Sequence, residues 1–170
     1  IQAVVLDKTG TLTQGKPQIT DIVVASGFTQ NEILGLDAAV EAKSSHPLSK
    51  AVMEEAARRK IKIPQGVEKF KNIAGHGVEA EVSGKHVLVG TIKLMNDRGI
   101  DLKPIQKDIN RLLSEGKTIM VLAINREVAG VAAATDPIKP TAKIAVKRMQ
   151  ELGLEVAMIT RDNQKTAESI

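Results

Sequence analysis

Apolar residues recur along this chain with two different periods, and the alternation between them organises the sequence. Ile1-Gln2-Ala3-Val4-Val5-Leu6 is a short, nearly continuous apolar run of the kind that forms a buried strand in a parallel sheet. Gly15-Lys16-Pro17 breaks the chain, and Gln18 to Ala25 then alternates as a strand does. Thr29-Gln30-Asn31-Glu32 reads as a capping box, with Thr29 as N-cap and Glu32 reaching back to it. It opens a helix to about Lys43 with Ile33, Leu36, Ala39 and Val40 on one face. Ser44-Ser45-His46-Pro47 interrupts, and Pro47 to Lys60 continues as a second helix with proline in its first turn. Two antiparallel helices with a polar joint are expected.

From Val67 the texture changes to short strands: Val67 to Asn72, Val78 to Val82, His86 to Val89, Ile119 to Ile124 and Glu127 to Ala133. Ser83-Gly84-Lys85 and Asn125-Arg126 are connections of hairpin length. Helices near Thr91 to Asp97 and Ile105 to Ser114 separate the hairpins, which points to an antiparallel sheet with helices on it, an α+β unit. Beyond Asp136-Pro137-Ile138-Lys139-Pro140 the α/β texture returns, with a helix from Thr141 to Leu152, a buried strand from Glu155 to Ile159, and the loop Thr160 to Asn163. The pattern predicts a parallel-sheet domain split into residues 1–16 and 134–170, interrupted by an inserted domain of residues 17–133.

Composition narrows the function classes. With 170 residues and 42% hydrophobic residues there is ample material for a packed core. Cysteine is absent, which removes disulfides and thiolate metal sites and fits a reducing compartment. No apolar run approaches the roughly 20 residues of a membrane-spanning helix, so the piece reads as soluble. Tyr and Trp are missing and only Phe28 and Phe70 are aromatic, so the stacking platforms of single-strand nucleic-acid binders are lacking and nucleic acid is not an expected partner. The formal charge of +4 is spread along the chain and favours an anionic ligand only weakly.

The chemistry concentrates in Asp7-Lys8-Thr9-Gly10-Thr11-Leu12-Thr13. Asp7 follows the first apolar run and so falls at the carboxyl end of a strand, where open α/β sheets bind ligands. A carboxylate there can attack a phosphoryl group and form an acyl phosphate if cations and backbone N–H groups neutralise the transferring oxygens. Lys8 offers charge, and Thr9, Gly10 and Thr11 offer hydroxyls and open backbone. Many phosphohydrolases on such a sheet carry a second acid two residues after the nucleophile to shuttle the leaving-group proton. Threonine at position 9 cannot do so, and a phosphorylated Asp7 is expected to persist.

The seven-residue string matches the phosphorylation motif of the P-type ATPases, and the chain resembles a cytoplasmic piece excised from an ion pump. Within the proposed insert, Ser45-His46-Pro47-Leu48, then Gly75-x-Gly77, then Gly90 looks like the nucleotide domain of the heavy-metal-transporting subclass. The resemblance implies that Glu41, His46, Gly75, Gly77 and Gly90 surround the adenosine of ATP. Residue types alone allow a carboxylate at Glu41 to accept from adenine's exocyclic amine and an imidazole at His46 to lie on the ring. The family has Asn where this chain has Thr91, a hydroxyl that can still donate one hydrogen bond. Lys117 sits in a family-like string after Glu115-Gly116.

The same resemblance implies a partial haloacid-dehalogenase-like α/β phosphorylation domain carrying an inserted α+β antiparallel-sheet nucleotide-binding domain. Asp136-Pro137-Ile138-Lys139 is similar to the hinge motif near the acceptor loop, giving roles to Asp136 and Lys139. Thr160-Arg161-Asp162-Asn163 is similar to the phosphate-binding loop, giving roles to Thr160 and Asp162, with Arg161 where the family has Gly. Mg²⁺ is the implied cofactor, with Asp7 and Thr9 as a partial site; further magnesium acids and a phosphate-binding lysine are expected downstream of Ile170. The implied partners are ATP and the transmembrane and actuator domains of the parent pump, at the cytoplasmic face of a membrane, with copper(I) favoured as cargo. Two other readings remain open from the residues themselves, a soluble phosphohydrolase capped by residues 17–133 and a non-catalytic nucleotide-binding module.

Overall fold

The computed structural model describes residues 2–44 and 47–159. Strand β1 (Ala3–Asp7) pairs in parallel with β8 (Glu155–Ile159), Ala3 opposite Glu155 and Asp7 opposite Ile159. Helix α5 (Pro140–Glu151) leads into β8 and packs on it. Both strands are less buried than their apolar sequences predict: Val5 is 63% and Ile159 60% exposed. Among the described residues this layer has two strands, so alternate residues of each strand find no cover.

The larger layer is a six-stranded antiparallel sheet built from β2 (Gln18–Val24), β3 (Val67–Ile73), β4 (Gly77–Val82), β5 (Lys85–Gly90), β6 (Thr118–Ile124) and β7 (Glu127–Thr135), in the order β2-β7-β6-β5-β4-β3. Helices α1 (Gln30–Glu41) and α2 (Pro47–Arg58) pack on each other and on one face, where Ile33, Leu36, Val40 and Val52 meet Val78, Val87, Val89 and Leu122. Helices α3 (Ile92–Asp97) and α4 (Gln106–Ser114) belong to the other face, where Met95, Ile105, Ile109 and Leu112 meet Leu88, Val121, Ala123 and Val131. Residues of both parities along β5 and β6 are therefore buried, which is why their sequences read as continuous apolar runs. Each fully buried leucine or isoleucine contributes about 1.5–3 kcal/mol, so this two-sided core carries most of the stability.

Local sequence rules account for the element ends, with one correction. Thr29 caps α1 by accepting from the Glu32 amide at 3.2 Å. Glu32, expected to reach back, instead accepts from Lys85 Nζ at 2.6 Å across to β5; an exposed amide at the cap is satisfied by water, and a cation opposite attracts the carboxylate more strongly. Asn125 (φ 49°) and Arg126 (φ 70°) both take the left-handed conformation between β6 and β7, the backbone that matches the twist of a two-residue hairpin. The Asn125 side chain fixes that turn by accepting from the His86 amide at 3.0 Å.

Gly130 in β7 lies where β2 and α1 press closest. A Cβ there would sit 2.4 Å from the Val23 carbonyl oxygen and 2.6 Å from Ile33 Cδ1. Because one of those atoms is backbone, Gly130→Ala is expected to destabilise the fold by about 1–3 kcal/mol, measured as a lower urea midpoint with an unchanged slope.

Candidate functional site

Asp7 ends β1, and the chain then makes one irregular turn, Lys8–Leu12, in which Thr9 and Gly10 leave helical geometry and Gly10 adopts φ 78°. A left-handed residue lets so tight a turn reverse without a Cβ clash. The turn leaves Asp7, Thr9 and Gly10 exposed and buries Lys8, which is only 7% accessible. Lys8, which the sequence offered as a source of charge, is thus buried.

Asp136 fastens this turn. Its Oδ2 accepts from Thr13 Oγ1 at 2.6 Å and from the Gly15 amide at 3.1 Å, and its Oδ1 accepts from the Lys16 amide at 3.0 Å. Thr13 is fully buried and its backbone amide donates to the Lys8 carbonyl at 3.0 Å, so Asp136 holds the floor of the loop after Asp7 through it. Backbone bonds from the Gln14 amide to the Pro137 carbonyl and from the Lys139 amide to the Leu12 carbonyl, both 2.8 Å, lace the two segments together. Lys139 Nζ donates to the Gly10 carbonyl, placing a cation beside the loop. Asp7 makes no side-chain hydrogen bond among the described residues and stays open to a ligand.

A second site opens where α1 and α2 meet one end of strands β3, β4, β5 and β6, a cleft of about 470 Å³. Glu41, Gly75, Gly77, Gly90 and Thr91, five of the six residues expected around ATP, line it together. Gly77 and Gly90 are register partners on β4 and β5. A Cβ on Gly77 would lie 2.1 Å from the Val89 carbonyl, and one on Gly90 would lie 2.3 Å from the His76 carbonyl. These two glycines are therefore required by backbone approach; Gly75, by contrast, turns the chain with φ 73° and open space around it. Thr91 caps α3 by accepting from the Leu94 amide at 3.2 Å, which leaves its proton free to donate into the cleft. Asp7, Thr9, Asp136 and Lys139 do not line this cleft. Ser45, His46, Thr160, Arg161, Asp162 and Asn163 lie outside the described residues.

Lys117 is neither a solvated lysine nor a cleft group. Its Nζ lies 2.6 Å from Asp21 Oδ2 and 2.6 Å from Glu115 Oε2, while its neighbours Thr118, Ile119 and Met120 line the cleft. Two groups escaped the sequence reading altogether. Ser49 on α2 donates its hydroxyl to Glu41 Oε2, both residues being buried. Asp37, one turn before Glu41, is 2% exposed and its Oδ1 has no hydrogen-bond partner among the described residues. An acid set among Ile33, Leu36, Ala39 and Val40 on the apolar stripe was the one available signal; the Ser49 contact depends on how the two helices meet.

Among the described residues no group of three or more His, Cys, Asp or Glu side chains is arranged to hold a metal ion. Asp7 and Thr9 are oxygen donors of the type magnesium takes, and that ion ordinarily combines one or two carboxylates with waters and phosphate oxygens. The donor set fits a magnesium ion that arrives with a nucleotide. No helix among the described residues is long and apolar enough to cross a membrane.

With a cleft on its antiparallel sheet and an aspartate at the end of a parallel strand, the chain belongs to the haloacid dehalogenase-like hydrolase family, whose model matches residues 1–170. Within that family it is 41% identical to the copper-exporting P-type ATPase of Bacillus subtilis (strain 168), over 100% of this chain and 21% of that protein. The chain thus spans about a fifth of the length of the curated relatives it matches. Among solved structures it is similar to a zinc-transporting PIB-type ATPase in the E2·Pi state, with a TM-score of 0.79 and 34% identity over 99% of this chain and 27% of that one. It is also similar to the N-domain of HMA8, a copper-transporting P-type ATPase, with a TM-score of 0.57 and 29% identity over 69% of this chain and 99% of that one.

Burial pushes the Asp37 carboxyl well above the ordinary aspartate range, and the neighbouring Glu41 carboxylate raises it further. The native state therefore keeps a proton that the unfolded chain has already released. Stability contributed at this site is highest below the unfolded value and falls as pH rises toward the native one. Asp37→Asn, which cannot ionise, is expected to remove that slope: its stability relative to wild type should grow with pH and reach about 1 kcal/mol or more at neutrality, read from urea unfolding at a series of pH values.

Proposed function

We propose that this chain is the ATP-binding and phosphorylation region of a heavy-metal-transporting P-type ATPase, with residues 17–133 as the nucleotide-binding domain and residues 1–16 and 134–170 as two segments of the phosphorylation domain. The single observation that supports this best is the convergence of Glu41, Gly75, Gly77, Gly90 and Thr91 on one cleft. In this reading Glu41 accepts from the adenine amine, His46 lies against the ring, and the Gly77–Gly90 pair lets the base and ribose approach the backbone where a side chain would bar them. Thr91 donates one hydrogen bond to the nucleoside.

The acceptor is Asp7. A carboxylate oxygen attacks the γ-phosphorus of ATP, the bond from that phosphorus to the bridging oxygen breaks, and ADP leaves with the electron pair. Asp136 keeps the loop in register through Thr13, Gly15 and Lys16, and Lys139 supplies positive charge beside Gly10. Thr160 and Asp162 belong to the loop that completes the phosphate site. Asp7 and Thr9 would help to hold Mg²⁺, which when bound offsets the charge on the transferring phosphoryl group. Since Thr9 carries no titratable proton, hydrolysis waits on groups elsewhere, and the aspartyl phosphate lives long enough to drive a change of shape. The transmembrane and actuator domains of the parent would use that change to move the ion from the cytoplasmic face. Copper is the favoured cargo, because the curated relatives are named for copper.

ATP is expected to bind with a dissociation constant between about micromolar and millimolar, since no Tyr or Trp is present to stack on the base. Glu41→Ala or His46→Gln should each weaken binding by about tenfold, or 1.4 kcal/mol, by calorimetry or NMR titration; unchanged affinity in both variants would falsify the pocket. GTP should bind more weakly than ATP, because its carbonyl would oppose Glu41 and leave a buried carboxylate oxygen unpaired.

In the whole pump, Asp7→Asn should abolish acid-stable, hydroxylamine-sensitive labelling from γ-labelled ATP. Persistence of the label would move the acceptor elsewhere.

A further inference from the structure

Glu41 lies at the C-terminal end of α1, where the helix dipole disfavours a carboxylate. It is 4% exposed and yet forms part of the wall of the cleft. A buried glutamate has three side-chain torsions to fix, and burial alone fixes none of them. Among the described residues, what holds this one is a single donor from another helix. Ser49, in the first turn of α2 and itself 7% exposed, gives its hydroxyl proton to Oε2. Oε1 then remains as the oxygen to accept from a ligand. Because α2 starts there, the carboxylate also sits against the positive end of a second helix, which offsets the unfavourable end of the first. The neighbouring acid does not compete for this role, since Asp37 stands one helical turn away and shares no hydrogen bond with Glu41.

We propose that Ser49 is a positioning residue for nucleotide selectivity: its hydrogen bond to Glu41 Oε2 sets the glutamate rotamer so that Oε1 meets the 6-amino group of adenine. The inference rests on the proposed ATP cleft and makes discrimination at the purine 6-position depend on the contact between α1 and α2. Without the hydroxyl, Glu41 keeps its place in the chain but not its aim. The loss should appear only with a base that carries a 6-amino group, and inosine triphosphate, which has a carbonyl there, supplies the comparison.

The test is calorimetric titration of the 170-residue chain with ATP and with inosine triphosphate, in wild type, Ser49→Ala, Ser49→Cys, Ser49→Thr and Glu41→Ala. Ser49→Ala is expected to weaken ATP about fivefold and to lower the preference for ATP over inosine triphosphate by the same factor, as for loss of one buried hydrogen bond. Ser49→Cys fills the site with a slightly larger atom that donates only weakly and should behave as Ser49→Ala does, so the result survives if either variant folds poorly. Ser49→Thr keeps the hydroxyl and should stay within about twofold of wild type, as a retained hydrogen bond predicts. A purely structural serine would instead lower stability while leaving the ratio of the two affinities unchanged, and that outcome overturns the proposal; so does failure of threonine to restore the ratio. If Glu41→Ala weakens ATP but the serine variants do not, positioning by Ser49 is wrong and the cleft stands. If Glu41→Ala binds both nucleotides as wild type does, the cleft itself has been misread.

Discussion

One carboxylate makes the architecture of this chain workable. The polypeptide leaves the parallel pair just after the acceptor turn and returns to it more than a hundred residues later, and the outgoing and incoming segments must lie side by side. Asp136 accepts from Thr13, Gly15 and Lys16, all on the outgoing segment, and so joins the two at their narrowest point. The backbone bonds at Gln14 and Lys139 align the strands of this junction. These bonds tie the loop after Asp7 to the segment that returns from the large sheet. Every bond Asp136 receives comes from a neutral donor, and two are backbone amides, so the joint constrains geometry without depending on a particular ion pair.

The cleft depends on a different economy of space. Two strands of the large sheet approach so closely at Gly77 and Gly90 that neither position admits a Cβ, and the resulting hollow is walled by the ends of the two helices on that face. The glycines clear room; the polar groups come from helix ends, Glu41 from the last turn of α1 and Thr91 from the cap of α3. Helix ends offer groups that the regular hydrogen-bond ladder leaves over, so a ligand there competes with little. Asp37 is the cost of placing acids in this region, a buried carboxyl that must stay neutral beside Glu41.

Strand and helix positions were largely legible in the sequence, because each depends on a local pattern. Strand β8 spans Glu155–Ile159 as its apolar run suggested, and the hairpins fall at Ser83-Gly84 and Asn125-Arg126. The string from Asp7 to Thr13 and the order Ser45-His46-Pro47-Leu48, Gly75-x-Gly77, Gly90 also stood out locally, because residue type and spacing carry them. What the pattern misjudged was burial. Val5 and Ile159 read as interior residues and are exposed among the described residues, where the parallel layer has two strands.

By itself, the sequence determined which segments form strands and helices and where the chain turns between them. It could do so because capping, hairpin geometry and two-fold or 3.6-fold periodicity act over a few residues. Only the tertiary structure decided that Asp136 clasps the acceptor turn, that Lys8 is buried, that Glu32 abandons its cap for Lys85, and that Ser49 grips Glu41. Each of these is a contact between groups on different elements, and a side chain's hydrogen-bond partner is chosen by which donors and acceptors packing brings within about 3 Å of it.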